Sequence, residues 1–215
     1  MIRWLLRIAL TLLTLHAYTA QAAAPAFHEG KAFTKLPAVQ PVSPSGKIVV
    51  TEFFWYNCPH CAAFDPSLEA WIKQQPADVV VERVPVAFGP QFVAQQKLYY
   101  ALKALGKVDA LQGAIFKAIH QQNIPLMTEP QMANWLAGQG IPKQEFENAF
   151  NAFGVQLEVK RATQMVQDYQ ISGVPTLVVQ GTYALSPAMP ETPTFATLLQ
   201  AVDMLVARVR ADGVH

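Results

Sequence analysis

A dense run of β-branched and aromatic residues occupies residues 47–56, KIVVTEFFWY. The run lacks a clean alternation of apolar and polar positions, which is typical of a strand covered on both faces. We therefore predict an internal strand here. A second run of the same kind, DVVVERVPVAF at residues 78–88, predicts another strand that ends near Pro85.

The segment between these two strands has the periodicity of a helix. Its apolar residues at helical spacing are Phe64, Leu68, Trp71 and Ile72. We expect Asn57 to cap this helix, Pro59 to occupy its first turn and Pro66 to kink it. Cys58 then lies at the junction between a strand and a helix.

The middle of the chain is dominated by apolar residues at helical spacing. Five such stripes lie within residues 98–105, 108–119, 132–136, 146–153 and 159–169. In the fourth stripe we expect Phe146, Ala149, Phe150 and Phe153 to face inward. Stripes of this kind are typical of helices packed on a core, and they rarely mark cofactor contacts.

Strand character returns in residues 173–187, GVPTLVVQGTYALSP, where QGT at residues 180–182 predicts a hairpin turn. An amphipathic helix is predicted over residues 195–209, after the capping residue Thr194. The order of elements is strand, helix, strand, helical block, two strands and helix. It predicts an α/β layer architecture with helices inserted in the middle.

The N-terminus has the features of a secretory signal peptide. Arg3 and Arg7 precede an apolar run at residues 8–15, and AQA at residues 20–22 fits a cleavage site. The apolar run is short for a membrane span, although an uncleaved anchor is the alternative. We expect the mature protein to begin near Ala23 and to act outside the cytoplasm.

Composition and charge narrow the possible functions. About 190 residues would remain after cleavage, which suits one compact domain or one domain with a large insertion. The net charge is +1 and the basic residues are scattered, so we expect no nucleic-acid partner.

The chain has only two cysteines, Cys58 and Cys61. So short a loop gains little from a crosslink, which indicates a reactive pair rather than a structural staple.

Metal and haem are the first alternatives for this pair. A structural zinc site normally has four ligands, and no second cysteine pair exists. His60 lies between the cysteines and is awkwardly placed as a third ligand. A c-type haem site needs histidine where Ala62 stands. We therefore expect neither a metal nor a bound cofactor.

A dithiol at a helix N-terminus has distinctive chemistry. The first amides of a helix are unpaired donors and its N-terminus carries partial positive charge, so a thiolate at Cys58 is favoured. His60 adds a donor or a positive charge. Stabilising the reduced thiolate makes the disulfide easier to reduce and therefore a stronger oxidant.

Three features of the sequence occur together: FFWYNCPHC after a strand of buried type, the helical insertion, and GVPT at residues 173–176. Together they resemble the DsbA family of bacterial periplasmic thiol:disulfide interchange proteins. The resemblance implies an α/β, thioredoxin-like fold with an inserted α-helical domain. It also implies a signal peptide at 1–22, a first thioredoxin-like part with the CPHC site at 23–90, the helical insertion at 91–168 and a second thioredoxin-like part at 169–215.

The resemblance also assigns roles at the dithiol. Cys58 is the attacked, more exposed sulfur and Cys61 is its buried partner, while Pro59 and His60 tune the pair. In such proteins a proline corresponding to Pro175 is cis and faces the disulfide. An ordinary trans proline at the start of a strand is the alternative.

Two further positions take their roles from the resemblance. Val174 is expected to offer its main chain to an extended substrate. Glu52 is a carboxylate in an apolar strand, so it lies either exposed at an edge or buried with a partner. The resemblance pairs it with Arg83 and makes it a proton relay to Cys61. A purely structural ion pair is the alternative.

The implied function is donation of the Cys58–Cys61 disulfide to unfolded, newly exported proteins in the periplasm. The implied partner is a quinone-linked inner-membrane reoxidase of the DsbB type, and the protein is expected to be a monomer. A periplasmic reductase or isomerase is one alternative, although residues 23–46 leave little room for a dimerisation domain. A chaperone whose disulfide only caps a helix is another.

Overall fold

The computed structural model describes residues 26–213 and contains one five-stranded mixed sheet. The strands are β1 (Thr34–Lys35), β2 (Ile48–Phe54), β3 (Val79–Pro85), β4 (Thr176–Val179) and β5 (Tyr183–Leu185). Their order across the sheet is β1-β5-β4-β2-β3. The predicted signal peptide at residues 1–22 lies outside the described residues.

Strand β2 is internal, as its apolar run predicts. It pairs in parallel with β3 and antiparallel with β4. All seven of its residues are buried. Its register places Glu52 opposite Arg83 on one side and Leu177 on the other.

Seven α-helices and one short 3-10 helix, Pro90–Phe92, complete the fold within the described residues. The α-helices are α1 (Pro59–Ile72), α2 (Val93–Ala104), α3 (Val108–His120), α4 (Glu129–Gly138), α5 (Lys143–Phe150), α6 (Phe153–Asp168) and α7 (Phe195–Asp212). Helices α2 to α6 lie in sequence between β3 and β4, so the predicted insertion of helices into an α/β layer is confirmed. In the part of the chain that the structure covers, no helix is both long and apolar enough to span a membrane.

Two hydrophobic cores follow from the alternation of side chains along β2. One contains Ile48 and Val50 of β2 and packs against the apolar faces of α1 and α7. The other contains Phe53 and extends into the five inserted helices; it also takes in Phe54, where the alternation no longer separates the cores at the C-terminal end of β2. Glu52 has the same parity as Val50, which places its side chain on the α1 side of the sheet.

The hairpin predicted at residues 180–182 is present and explains a glycine. Gln180 and Gly181 both have positive φ, 49° and 55°. A side chain on Gly181 would collide with the main chain of Gln40, whose N–H donates to the Gly181 carbonyl at 2.8 Å. Glycine is required here because the N-terminal segment crosses the turn closely.

One core prediction is wrong. Helix α5 ends at Phe150, and Ala152 is extended with φ −63° and ψ 143°. Phe153 then begins α6 and is 79% exposed. The prediction treated residues 146–153 as one continuous helix. The break at residues 151–152 instead turns Phe153 away from the core that contains Phe146 and Phe150.

Candidate active site

The junction between β2 and α1 carries both cysteines. The Cys58 N–H donates to the Trp55 carbonyl at 3.0 Å, which closes a turn after the strand. Pro59 occupies the first helical position, as predicted. The predicted cap at Asn57 is wrong, because Cys58 itself is the N-cap with φ −84° and ψ 117°. Its sulfur accepts the Cys61 N–H at 3.4 Å and so takes the place of a capping oxygen.

The Cys58 thiol lies where a thiolate is stabilised. The hydrogen bond from the Cys61 side chain is the largest cause that lowers the pKa of Cys58 to about 6. The main-chain N–H groups of Cys61 and His60 and the His60 side chain act in the same direction, while burial opposes them. The two thiols are free, and Cys58 is 7% exposed whereas Cys61 is fully buried. An approaching thiolate therefore reaches Cys58 first.

Cys61 behaves in the opposite way. Burial and the hydrogen bond to Cys58 raise the pKa of Cys61 far above its ordinary value. Cys61 therefore holds its proton under conditions in which Cys58 has lost it. In the reduced pair, Cys58 is therefore stable as a thiolate and Cys61 is stable as a thiol.

The loop before β4 faces Cys58. The Val174–Pro175 peptide bond is cis, as the resemblance implied. The Cys58 thiol donates to the Val174 carbonyl at 3.5 Å. Proline has no N–H, so the loop presents main-chain oxygen rather than an amide at this point.

An open cleft adjoins this loop. Its volume is about 380 Å³, and it is lined by His60 and by residues 172–176 and 186–188. His60 is exposed. A second cleft of about 270 Å³ shares Ser172, Thr176 and Ser186 with the first and runs on towards β1.

Behind the cysteines, one arginine is surrounded by three carboxylates. The Arg83 Nε donates to Glu52 Oε2 at 2.9 Å, and its Nη2 donates to Glu69 Oε1 at 2.7 Å. Asp65 Oδ1 lies 3.9 Å from the same Nη2. The predicted pairing of Glu52 with Arg83 is therefore present, although in a larger cluster than predicted.

Burial leaves part of this cluster protonated near neutral pH. Burial raises the pKa of Glu52 to about 7, against the opposing effect of Arg83. It raises the pKa of Asp65 to about 6 in the same way. Glu52 also contributes to the raised pKa of Cys61, because a nearby negative charge disfavours a second one.

Comparison with known proteins identifies the family. A family model described as the DSBA-like thioredoxin domain matches residues 49–202. The chain belongs to this family. The thiol:disulfide interchange protein DsbA of Burkholderia cepacia is 45% identical over 207 residues, which cover 96% of this chain and 97% of that protein.

Solved structures of DsbA proteins agree. The crystal structure of Pseudomonas aeruginosa DsbA matches with a TM-score of 0.80 and 35% identity, covering 86% of this chain and 96% of that one. The Xylella fastidiosa DsbA structure matches with a TM-score of 0.79 and 33% identity, covering 87% and 99%. The DsbA resemblance and the thioredoxin-like fold class predicted from the sequence are both confirmed.

Sequence reasoning missed two members of the DsbA-type site in this chain. Asp65 and Glu69 lie one helical turn apart on α1, beside the apolar positions Phe64 and Leu68. A signal was present, because an arginine in an apolar strand needs more than one acceptor to satisfy its five donors. No group of side chains in residues 26–213 is arranged to hold a metal ion.

Proposed function

We propose that the protein is a periplasmic thiol:disulfide oxidoreductase that donates a Cys58–Cys61 disulfide to unfolded, newly exported proteins. The observation that carries this proposal is the position of the dithiol: the Cys58 sulfur caps a helix N-terminus and accepts the Cys61 N–H at 3.4 Å, while Cys61 is fully buried. A dithiol whose outer thiolate is stable gives up its disulfide readily. Relatives named thiol:disulfide interchange protein support the same activity.

The size of the effect at neutral pH follows from the shifted Cys58 pKa. With a pKa of about 6, Cys58 is mostly thiolate at pH 7, whereas a free cysteine with a pKa of about 8.5 is mostly thiol. The difference favours the reduced form by about 1.4 kcal/mol, which corresponds to about 30 mV for a two-electron couple. This stabilisation of the reduced form makes the Cys58–Cys61 disulfide more oxidising.

The proposed cycle has two exchange steps. A client thiolate attacks the Cys58 sulfur, the bond between Cys58 and Cys61 breaks, and Cys61 leaves with the electron pair and takes up a proton. A second client thiolate then attacks the client sulfur of the mixed disulfide, and Cys58 leaves as a thiolate. The client loses two electrons and the enzyme gains two. A stable thiolate is a fast leaving group, so the second step benefits directly from the low Cys58 pKa.

We assign Glu52 as the source of the proton that Cys61 takes up. Cys61 is buried and its thiol is strongly favoured over its thiolate, so its departure requires proton delivery. Glu52 is 1% exposed and has a pKa raised to about 7, which keeps a proton available inside the protein. Arg83 holds the carboxylate in place at 2.9 Å.

The cleft beside the cis-proline loop is the proposed binding place for the client. The Val174 carbonyl lies next to the reacting sulfur and accepts main-chain hydrogen bonds without regard to sequence. The adjoining second cleft would lengthen the segment of client that is held. Recognition through main-chain groups fits a substrate class defined by its unfolded state.

We further propose the cellular setting that the family implies. Residues 1–22 direct export, and the mature chain works in the periplasm as a monomer with helical insertion 91–168 between thioredoxin-like parts 23–90 and 169–215. A quinone-linked inner-membrane protein of the DsbB type restores the disulfide. No cofactor takes part, since the electrons pass between sulfur atoms.

Equilibration of the mature protein with glutathione, followed by alkylation of Cys58, tests the proposal. We expect a reduction potential well above that of thioredoxin, which is about −270 mV. Cys58→Ser should abolish disulfide donation to a reduced client, and Cys61→Ser incubated with oxidised glutathione should accumulate the mixed disulfide at Cys58. A potential near that of thioredoxin would favour a reductase. A Cys58→Ser protein that still promoted disulfide formation would favour a chaperone.

A further inference from the structure

One face of helix α3 holds a single residue of the active-site turn, Tyr56, through three contacts. Gln112 Oε1 accepts the Tyr56 hydroxyl at 2.7 Å. The Phe116 ring packs edge-on against the Tyr56 ring, with centroids 5.3 Å apart. His120 Nε2 lies 2.8 Å from the Tyr56 carbonyl oxygen. Residues 112, 116 and 120 recur every four positions and so share one side of the helix.

These contacts act on the turn that sets the position of Cys58. Tyr56 lies inside the turn closed by the hydrogen bond from the Cys58 N–H to the Trp55 carbonyl. The Tyr56 carbonyl belongs to the peptide group that precedes Asn57, so holding its oxygen fixes the plane of that group. A carbonyl only accepts hydrogen bonds, and His120 must therefore carry its proton on Nε2 here.

Most of this arrangement is buried. Tyr56 is 1% exposed and Gln112 is 2% exposed. Gln112 Nε2 has no hydrogen-bond partner within residues 26–213. Within these residues, the Gln112 side chain is therefore held by the hydrogen bond that its Oε1 accepts from the Tyr56 hydroxyl. His120, by contrast, is half-buried at the last position of α3. Of the two polar residues on α3 that contact Tyr56, Gln112 and His120, only His120 can be replaced without leaving a cavity in the hydrophobic core.

Helix α3 also approaches the other end of the dithiol site. A side-chain carbon added at Gly113 would lie 3.6 Å from Asp65 Oδ2 on α1. The inserted helix thus lies beside both the turn before Cys58 and the acidic cluster behind Cys61.

We propose that Gln112, Phe116 and His120, here called the α3 clamp, tune the dithiol by holding the turn, and that His120 is the positioning residue. The inference rests on the proposed function. The Cys58 sulfur must lie at the N-cap to receive the Cys61 N–H at 3.4 Å. Without the His120 hydrogen bond the peptide before Asn57 is free to rotate, the sulfur loses this alignment, and its thiolate is less stabilised.

Two substitutions separate position from charge. His120→Leu removes the donor and the titratable ring, whereas His120→Gln keeps a donor on a side chain that does not titrate. We expect His120→Leu to raise the Cys58 pKa by about one unit, and therefore to stabilise the disulfide several-fold against glutathione. His120→Gln should restore most of both values. His28→Leu is the matched control, because His28 is exposed and pairs with Glu191 away from the dithiol.

The measurements are the thiolate absorbance of Cys58 against pH and the glutathione equilibrium, both on the mature protein. If His120→Leu does not fold, His120→Asn is measured instead, since its side chain is polar but too short to reach the Tyr56 carbonyl. A Cys58 pKa unchanged in the folded variant would overturn the proposal. Equal shifts in His120→Leu and His120→Gln would also overturn it, because charge alone would then be responsible.

These outcomes are distinct from failure of the proposed function. If the unmodified protein itself shows an ordinary cysteine pKa and a thioredoxin-like potential, the proposed disulfide donation is wrong. If the unmodified protein is a strong oxidant and His120→Leu matches it, only the positioning role is wrong.

Discussion

At the scale of single residues, Cys58 and Cys61 are separated by two residues, and their surroundings act on them in opposite directions. Hydrogen bonds at the helix N-terminus stabilise the Cys58 thiolate, while burial stabilises the Cys61 thiol. Glu52 supplies a group that still holds a proton near neutral pH. Each exchange step then ends with every sulfur in its preferred protonation state.

Glu52→Gln tests the proton relay. We expect reduction of the enzyme disulfide by a client peptide to slow about tenfold or more, because glutamine has no proton to deliver to Cys61. Stopped-flow rates, corrected for the thiolate fraction of the client, should fall in the unmodified protein as pH rises through about 7. This fall should be absent in the variant.

Glu82→Gln is the control for the relay, because Glu82 neighbours Arg83 on β3 but projects to the opposite face of the sheet. Its rate should stay within about twofold of the unmodified protein. The relay is ruled out if Glu52→Gln leaves both the rate and the thiol titration unchanged.

The low Cys58 pKa also predicts how stability depends on pH. In the reduced protein the folded-state pKa of Cys58 is about 6, against about 8.5 for a free cysteine, so the unfolded chain binds more protons between these limits. Folding stability from this group therefore rises with pH across that interval, by about 3 kcal/mol at most. The oxidised protein has no thiol to contribute this gain.

Urea unfolding of both redox forms at several pH values measures the effect. The free energy of unfolding of the reduced form should increase relative to that of the oxidised form from about pH 6 to about pH 8. The gain should level off above that, because only the folded protein keeps the Cys61 thiol protonated. A constant difference between the two forms would show that Cys58 is not stabilised as a thiolate in the folded state.

At the scale of elements, the site is assembled where β2, α1 and the loop before β4 meet. The strand-to-helix junction, the cis bond before Pro175 and the partner of Glu52 followed from sequence pattern and family resemblance. The cap at Cys58 did not, because asparagine is the better capping residue by preference and only the local geometry puts sulfur there. Asp65 joined the cluster through the docking of α1 over the sheet, which sequence spacing does not specify.

The break between α5 and α6 gives an element-scale prediction. Phe153 is 79% exposed and Phe146 is fully buried, although sequence spacing made them equivalent. Phe146→Ala should destabilise the protein by about 3–5 kcal/mol, whereas Phe153→Ala should change stability by less than about 0.5 kcal/mol. Chemical denaturation measures the free energy of unfolding of both variants. Similar decreases in the two would favour one continuous helix over residues 146–153 with Phe153 buried.

At the scale of the whole molecule, the helical insertion and the sheet share one hydrophobic core. Phe54 of β2 packs against Tyr99 of α2 and Phe116 of α3, with ring centroids 5.4 Å and 6.2 Å apart. Phe53, on the other side of the strand, packs against Tyr169 at the end of α6, with centroids 5.2 Å apart. The insertion therefore covers the C-terminal end of β2, which leads to the dithiol. The helical spacing of apolar residues predicted the presence of the helices, but not which of them would contact the active-site turn, since that depends on their packing in three dimensions.

A shared core predicts one cooperative unfolding unit. Thermal unfolding of the reduced protein followed by far-ultraviolet circular dichroism and by tryptophan fluorescence should give coincident transitions. Trp135 lies in α4 and Trp71 in α1, so the two parts of the fold both carry a fluorescent probe. Separate transitions would mean that the insertion folds independently of the sheet.

The most direct measurement is an ultraviolet titration of the Cys58 thiolate in the reduced mature protein, with Cys58→Ser as the blank. We expect a single thiolate with a pKa of about 6, and no second thiolate up to pH 9. A Cys58 that remains protonated at neutral pH, with a pKa near the free value of about 8.5, would contradict the stabilisation of its thiolate in the folded protein.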